Sequence, residues 1–427
     1  MKVFKFGGAS VNNVERIKNL GKILRQHTGE KLLVVISAMG KTTNALEKVA
    51  EAFFAGKNEE ALQLFEQVKQ QHLTTAKNLL VVQYLPCAVQ LKSFFTEAEW
   101  LLHDKPVRDY DYYYDQVVCM GELLSTAIVS HYLNEIDIRN KWVDVRDILR
   151  TDDNFRDANV DWAFSQAKVQ SDILPLFTEG NIVITQGFIG STDENESTTL
   201  GREGSDYTAA LFTNMLNAQS LTIWKDVQSV MNADPKQFPD AQPIHELNYN
   251  EVIEMAYYGA QVIHPKTIKP LQNKSLPLFV KCFLEPALPG TVIHNKPVKD
   301  LPAIIVLKSN QVMLELSSRD FSFVGEHHVG ELYHLFEQLK LKPNLTQNGA
   351  ISFIGVFDDR GERIEKLASE AARLFDVTLV RNLSLLTIRH YHPAILQKLI
   401  RDQAVILRQQ TTETIQVLMK TEEAKDA

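Results

Sequence analysis

Cysteine is scarce in this 427-residue sequence, and the three that occur form no pattern. Cys87, Cys119 and Cys282 are dispersed and odd in number. They therefore fit neither a disulfide framework nor the paired spacing of a metal site, and we assign no residue as a metal ligand. Such sparse use of cysteine is typical of the reducing cytosol, so we expect a cytoplasmic protein.

Long apolar runs and an excess of positive charge are also missing. No run reaches the length of a membrane span, and the sequence from Met1 to Phe6 does not resemble a secretory signal. The net charge of −8 argues against a general surface for nucleic acid or for an anionic membrane. An anionic substrate would therefore be bound by a local cluster of cations.

Strand and helix patterns alternate through the first two thirds of the chain. Leu32–Ser37 is a continuous apolar run, which is typical of a strand buried on both faces of a parallel sheet. The other predicted strands are Val3–Phe6, Lys141–Val145, Ile182–Gln186 and Ser220–Trp224, and the helices cover Val14–His27 and about 44–96 with an interruption near Pro86. This alternation predicts a three-layer α/β sandwich with ligand-binding loops at the strand ends.

The pattern changes after Pro286–Pro302, which holds four prolines and reads as a linker. Two small βαββαβ-type modules are predicted beyond it. The predicted strands are Ala303–Leu307, Val312–Leu316, Ile351–Phe357, Val377–Val380, Ser384–Arg389 and two further strands near the end, and the helices are Val329–Leu339, Glu362–Leu374 and Pro393–Arg401. We therefore expect a catalytic domain over residues 1–295 and a second α+β region over 303–427.

Two predicted strands end in segments suited to binding an anion. Lys5-Phe6-Gly7-Gly8-Ala9-Ser10 offers close backbone approach at the glycines, a lysine and a hydroxyl. Ser37–Asn44 offers small and hydroxylated residues before a helix. The structural alternatives are a tight turn with a surface lysine in the first segment, and a helix N-cap made by Thr43 or Asn44 in the second.

A third segment, Thr199–Thr208, is a glycine-rich turn that carries Arg202, Ser205 and Asp206 into a helix. An arginine suits a planar carboxylate, and an aspartate can hold a lysine in place. A purely structural explanation of this combination is difficult, so the turn favours a functional site.

A fourth segment runs from Trp224-Lys225-Asp226-Val227 to Asn232-Ala233-Asp234-Pro235-Lys236. A strand, a charged turn and Asp-Pro in succession indicate a loop over a nucleotide, although a solvated turn is the alternative.

Glu122 is a carboxylate in an otherwise apolar helix, within Val118–Ser125. A carboxylate in such surroundings is costly unless it meets a cation or an ammonium group. Its partner is therefore either a ligand's ammonium group or a structural lysine.

Taken together, these motifs resemble those of the aspartate kinases of the amino-acid kinase family. The resemblance covers residues 1 to about 295 and rests on Lys-Phe-Gly-Gly-x-Ser, Met-Gly-Glu-Leu-Leu-Ser, Thr-Leu-Gly-Arg-x-Gly-Ser-Asp-Tyr-Thr-Ala-Ala, Trp-x-Asp-Val with Ala-Asp-Pro, and Tyr-Gly-Ala-x-Val-Ile-His-Pro. The C-terminal part is similar, more weakly, to the tandem ACT domains of the same enzymes. The resemblance implies an amino-acid kinase domain of three αβα layers followed by two ACT-like modules.

The resemblance also implies roles for individual residues. Lys5 and Asp206 would be catalytic, with Asp206 orienting Lys5. The aspartate-binding residues would be Thr43, Glu122, Arg202 and Ser205, with Glu122 facing the ammonium group and Arg202 the α-carboxylate. The ATP-binding residues would be Lys5, Gly7, Gly8, Ser10, Ser37, Lys225, Asp226, Met231, Lys236 and Gln261.

The chain departs from the family pattern at four positions. Ala9 replaces a hydroxyl residue, and Lys236 replaces an arginine, which weakens any bidentate phosphate contact. Gln261 stands where many members have a nucleotide-contacting lysine, and Lys225 stands where many have threonine. These last two changes suggest that a cation has moved from one loop to the other.

The implied reaction is transfer of the γ-phosphate of ATP, with Mg²⁺, to the side-chain carboxylate of L-aspartate, at the entry to lysine, threonine and methionine synthesis. The alternatives are a relative acting on glutamate, acetylglutamate, carbamate or UMP, and a non-catalytic paralogue that senses amino acids. Small C-terminal modules bury little core alone, so we expect at least a homodimer. Lysine and threonine are both plausible effectors.

Overall fold

The structure is a computed structural model that describes residues 1–179, 181–260, 262–401 and 403–421. The chain divides into two compact units. The first unit comprises Met1–Val230, Pro243–Ile253 and Gln261–Val298, and the second comprises Met231–Gln242, Glu254–Ala260 and Lys299–Ala427. The domain boundaries expected at residues 295 and 303 stay predictions. No helix in the described part of the chain is long and apolar enough to cross a membrane.

Strands and helices alternate before residue 300. The strands are β1 (Lys2–Phe6), β2 (Leu32–Ile36), β3 (Lys141–Val143), β4 (Ile182–Gln186), β5 (Ile189–Ser191), β6 (Ser197–Thr199), β7 (Leu221–Lys225), β8 (Val230–Met231), β9 (Pro243–Ile244), β10 (Glu246–Asn248), β11 (Leu278–Cys282) and β12 (Thr291–His294). The helices are α1 (Val14–Arg25), α2 (Thr42–Phe54), α3 (Asn58–Leu79), α4 (Tyr84–His103), α5 (Tyr110–Val118), α6 (Met120–Glu135), α7 (Trp162–Lys168), α8 (Leu176–Glu179), α9 (Gly204–Met215), α10 (Tyr249–Tyr258) and α11 (Pro265–Gln272).

The main sheet has the strand order β10-β12-β11-β7-β1-β2-β4-β3. The strands from β11 to β3 run parallel, and β12 is antiparallel to β11. Every residue of β2 is buried, because layers cover both faces of the sheet. The predicted three-layer α/β architecture is confirmed. β1 lies at the centre, so its carboxyl end meets those of β2 and β7 at one edge.

The predicted linker is wrong over four residues. Thr291–His294 forms β12, which pairs with β11 and β10 inside the main sheet. The turn before β12 depends on Gly290, whose φ is +71° and whose hydrogen faces the Val280 carbonyl; a Cβ there would lie 2.2 Å from that oxygen. The tight turn after β11 allows β12 to pair with it. The prolines lie on either side of β12 and not within it, so they do not prevent a short strand.

The second unit is built on one antiparallel sheet. Its elements after residue 300 are β13 (Ile304–Ser318), α12 (Glu326–Gln338), β14 (Leu345–Asn348), β15 (Ser352–Asp358), α13 (Glu362–Ala371), β16 (Phe375–Arg389), α14 (Pro393–Ile400), β17 (Val405–Gln410) and β18 (Thr414–Lys420). The strand order is β14-β15-β13-β16-β18-β17.

Apolar clusters around α12 and α13 and around α14 fit the predicted pair of modules, and a third cluster includes residues of β13–β15 together with residues of β16 and β18. Leu314 of β13 packs in one cluster with Phe336 of α12 and Leu367 of α13. Ile388 of β16 packs in another cluster with Leu396 of α14. The lengths of β13 and β16, the two central strands of this sheet, differ from the prediction. β13 and β16 are single 15-residue strands, whereas the sequence predicts two short strands in place of each.

Candidate active site

The carboxyl ends of β1, β2 and β7 open onto one cleft of about 730 Å³ in the first unit. Most of the predicted site residues line it: Lys5, Gly7, Gly8, Ser10, Ser37, Thr43, Glu122, Arg202, Ser205, Asp206, Lys225 and Asp226. Met231 and Lys236 belong to the second unit and are not part of this lining. Gln261 lies outside the described residues.

The glycine-rich turn after β1 lies directly against the segment after β2. A Cβ on Gly8 would be 2.5 Å from the Ala38 carbonyl oxygen, so only glycine fits there without a shift of backbone. The Gly40 N–H donates to the Gly8 carbonyl at 3.0 Å. The two predicted anion-binding segments therefore form one wall of the cleft.

Lys5 is held inside the cleft by Asp206. Its Nζ lies 2.8 Å from Asp206 Oδ1, and Lys225 Nζ lies 3.9 Å from Asp206 Oδ2. Burial by itself would raise the pKa of Asp206, but attraction to Lys5 and Lys225 outweighs it and lowers that pKa. Lys5 is thus not a surface lysine on a turn, which was the structural alternative.

The glycine-rich turn before α9 sets the position of Asp206. Gly201 has a φ of +75° and Glu203 a φ of +55°, and α9 begins at Gly204. Ser205 and Asp206 therefore lie in the first turn of the helix, where backbone N–H groups and the helix dipole favour anions. Arg202 is exposed and forms no ion pair with any residue that the structure describes.

Glu122 is buried on α6, with 2% of its surface exposed. Its Oε1 accepts a hydrogen bond from the Ala38 N–H at 3.1 Å, whereas Oε2 has no partner in the described structure. Burial raises the pKa of Glu122 to about 8, although the Ala38 N–H and the charge of Lys5 act in the opposite direction. No described lysine forms an ion pair with Glu122, so the alternative of a structural lysine is not supported.

Thr43 lies in the first turn of α2 and lines the cleft. Lys41 occupies the N-cap position without a side-chain hydrogen bond, so neither Thr43 nor Asn44 caps the helix. The neighbouring Thr42 hydroxyl donates to the Met39 carbonyl at 2.6 Å. The N-cap alternative for this segment is therefore wrong.

Asp226, in the turn after β7, is fixed by a residue that the sequence analysis missed. Arg16 Nη1 donates to both carboxylate oxygens of Asp226, each at 2.8 Å, and to the Ala9 carbonyl at 3.0 Å. Arg16 thus ties the turn after β7 to the glycine-rich turn after β1. It lies within an amphipathic helix, and nothing in its local sequence indicates this role.

Three further lining residues, Tyr114, Arg156 and Phe188, also escaped prediction. Asp115, which is buried beside Tyr114, accepts hydrogen bonds from the Arg156 N–H at 3.0 Å and from the Thr199 N–H at 2.8 Å. Burial raises the pKa of Asp115 to about 6, although these hydrogen bonds oppose the rise. Residues more than forty positions apart are joined here, so no local pattern could have revealed the cluster.

The cleft therefore has two chemically distinct parts. The strand-end turns bring Lys5 and Lys225 into the cleft, and these two cations suit an anion such as a phosphate chain. Glu122 keeps one carboxyl oxygen without a partner, and Arg202 has no ion pair among the described residues; together they suit the ammonium and carboxylate groups of a zwitterion. Such an arrangement can bring two anions together by screening their charges.

Comparisons with known proteins identify the family to which this chain belongs. The profile of the Amino acid kinase family matches residues 1–282. Lysine-sensitive aspartokinase 3 of Escherichia coli is 32% identical over 84% of this chain and 78% of its own length. A solved structure of E. coli aspartokinase III with lysine and aspartate has a TM-score of 0.83 and 27% identity, covering 98% of this chain and 95% of that one. The structure of that enzyme with aspartate and ADP has a TM-score of 0.79 at the same identity, covering 98% and 96%. The chain belongs to the amino acid kinase family and, within it, to the aspartokinases.

Proposed function

We propose that this chain transfers the γ-phosphoryl group of ATP to the side-chain carboxylate of L-aspartate and forms 4-phospho-L-aspartate. The observation that carries the proposal is a buried carboxyl oxygen and an exposed guanidinium in the cleft that both lack partners among the described residues. Glu122 Oε2 is buried without a partner, and Arg202 has no carboxylate in the described structure. An α-amino acid supplies both missing partners, since its ammonium group suits Glu122 and its α-carboxylate suits Arg202.

The reaction needs no general base, because the acceptor carboxylate is already ionised at neutral pH. The barrier comes from repulsion between this carboxylate and the phosphate oxygens. Lys5, held by Asp206, and Lys225 would screen that repulsion, and the strand-end turns with Ser10 and Ser37 would hold the phosphate chain in line. Asp226, Met231, Lys236 and Gln261 would border the nucleotide, and Ser205 and Thr43 the acceptor.

Magnesium, when bound, would neutralise charge on the β- and γ-phosphates. The described residues contain no group of three or more His, Cys, Asp or Glu side chains that could hold a metal ion. The protein's own contribution is the pair of lysines and the backbone of the turns.

Trapping the product tests the proposal, because an acyl phosphate reacts with hydroxylamine to give a hydroxamate. We expect ATP-dependent formation of aspartyl hydroxamate with aspartate. ADP release, which reports every phosphate acceptor, should be slow with glutamate, N-acetylglutamate, carbamate and UMP. Faster turnover with any of these four would identify a different kinase of the family. Tight aspartate binding without ATP turnover would identify an amino-acid sensor.

The second unit is proposed to respond to an amino acid and to form a homodimer. The E. coli relative is named as lysine-sensitive. In this chain, the loop after β13 exposes Phe321 and Phe323, with 79% and 77% of their surfaces accessible in the single chain. Two large exposed aromatic side chains in one loop indicate an interaction surface. Light scattering should give the mass of at least a dimer, and a kinetic screen with single amino acids should show inhibition by lysine or threonine.

A further inference from the structure

The cleft contains a second arginine whose backbone is held in an unusual conformation. Arg156 lines the cleft on the loop before α7, and its φ is +70°. This left-handed region favours glycine and disfavours a long side chain. Strained backbone of this kind persists where the surroundings fix it, and it is concentrated at functional sites.

The conformation of Arg156 is fixed by buried Asp115. One oxygen of this carboxylate, Oδ2, accepts the N–H groups of both Arg156 and Thr199, at 3.0 and 2.8 Å. The other oxygen, Oδ1, accepts the Thr199 hydroxyl at 2.7 Å. The Arg156 carbonyl lies beside the Arg202 turn, because a Cβ on Gly201 would be 3.2 Å from it. Arg156 and Arg202 therefore extend from adjacent loops.

The guanidinium of Arg156 lies over Tyr114, with Cζ 4.3 Å from the ring centroid. Its Nη1 is 3.1 Å from Asp111 Oδ1, and its Nη2 is 3.9 Å from Glu47 Oε1. Glu47 lies one helical turn after Thr43 on α2. The group is thus close to the residues assigned to the acceptor, and its two carboxylate partners are both exposed.

Two carboxylates near a guanidinium suggest a purely structural role, in which Arg156 ties its loop to α5. The exposures argue against this explanation. The side chains of Arg156, Asp111 and Glu47 are 42%, 56% and 39% exposed, and ion pairs between exposed groups add little to stability. The backbone bonds to Asp115 already fix the loop. A guanidinium with weak partners can instead leave them for an incoming anion.

We propose that Arg156 is a specificity-determining residue that exchanges Asp111 for the α-carboxylate of the bound acceptor and so binds it together with Arg202. This inference rests on the proposed function. Asp111 and Glu47 compete with the acceptor for the same guanidinium, so they set the affinity of the cleft for an anionic amino acid.

Four proteins test the exchange: the wild type, Arg156→Gly, Asp111→Asn and the double variant. Arg156→Gly should raise the KM for aspartate about fivefold to tenfold, with much smaller changes in kcat and in the KM for ATP. Its Tm should be equal to or above that of the wild type, because glycine fits a φ of +70°. Asp111→Asn should lower the KM for aspartate about twofold, and this effect should vanish in the Arg156→Gly background.

An unchanged KM for aspartate in Arg156→Gly would overturn the inference, as would an Asp111→Asn effect that survives in the double variant. A Tm that falls together with activity in Arg156→Gly would assign the residue a structural role and would also overturn it. Absence of aspartate-dependent turnover in the wild type is a different result, because it would contradict the proposed function itself.

Discussion

The two ends of the cleft differ in how their charges are satisfied. At the proposed phosphate end, Lys5 and Lys225 share the buried carboxylate of Asp206, whose pKa is lowered. At the proposed acceptor end, Glu122 has a raised pKa and one oxygen without a partner, and Arg202 has no ion pair in the described structure. The charged groups at the Lys5 end are paired with each other, whereas those at the Glu122 end still lack charged partners among the described residues.

This difference indicates how each end contributes to the reaction. A cation already fixed by its partner needs no reorganisation when charge develops on the phosphoryl group, so changes at the phosphate end should affect kcat. A buried carboxylate without a partner gains one only when the acceptor binds, so changes at the acceptor end should affect the KM for aspartate.

Replacing Lys5 should have the largest effect. Lys5→Ala removes the cation closest to Asp206, and we expect kcat to fall by about a thousandfold or more with little change in Tm. Lys2→Ala is the matched control, because Lys2 is on the same strand but pairs with Glu30 at 2.6 Å. Steady-state kinetics of the two folded variants would make the comparison. Near-normal kcat in Lys5→Ala would remove the distinction between the two ends.

Glu122→Gln should raise the KM for aspartate by about 30-fold to 100-fold, because the ammonium group loses its buried partner. The pH dependence gives a second readout. With a pKa of about 8 in the folded state, Glu122 becomes ionised as the pH rises from 6.5 to 8.5, so the KM of the wild type should fall over that range. Glu122→Gln should show a flat profile. A wild-type KM that rises with pH would contradict the assigned role.

The same pKa has a consequence for stability without ligand. The folded pKa of Glu122 lies above its unfolded value, so the folded protein holds an extra proton between about pH 4.5 and 8. Stability that depends on this proton is present at low pH and is lost as the pH rises towards 8. The Tm of the wild type should therefore fall relative to that of Glu122→Gln over this window, as thermal melts would show. Parallel Tm profiles would argue against a raised pKa.

Arg202→Ala should raise the KM for aspartate about tenfold to 30-fold and that for ATP far less, because an exposed cation is worth less than a buried ion pair. Arg139→Ala is a suitable control, since Arg139 is also exposed in the first unit and does not line the cleft. A larger loss of ATP affinity than of aspartate affinity would show that the two ends have been exchanged.

The smallest expected effect concerns Lys225, which we propose takes the place of the lysine that many family members have at position 261. Lys225 Nζ points inward, to the Val262 carbonyl at 2.6 Å and towards Asp206. Lys225→Thr should therefore weaken ATP binding and rate by about threefold to tenfold. Adding Gln261→Lys should recover much of that loss in a double-mutant cycle. Additive effects would show that the two positions act independently.

The sequence predicts the central strands β2 and β4 well because they are buried on both faces, but it does not predict β10, β11 or β12 of the same sheet. Leu32–Ile36 is apolar at every position for this reason. It predicts β13 poorly, because polar residues interrupt the strand and the register shifts between Lys308 and Met313. Asn310 has a φ of +55° there, which in sequence resembles a turn between two strands. The sequence does not indicate β12 either, because this strand has only four residues and prolines flank it, as they do in a linker.

In the candidate site, too, only residues with a local sequence pattern could be predicted. Lys5 can be recognised because glycines follow its apolar strand, and Asp206 because a glycine-rich turn carries it into the first turn of α9. Arg16 and Arg156 cannot, since each acts on residues distant in sequence: Arg16 on Asp226, and Arg156 on the Tyr114 ring. A left-handed φ at a polar loop residue also leaves no trace in composition.

Proton release on aspartate binding tests the central claim most directly. At pH 7, a Glu122 with a pKa of about 8 is mostly protonated, and it must ionise to accept the ammonium group. Titration calorimetry in buffers of different ionisation enthalpy counts the protons. The account predicts release of about one proton per aspartate bound by the wild type, and almost none by Glu122→Gln. Equal proton release by the two proteins would contradict it.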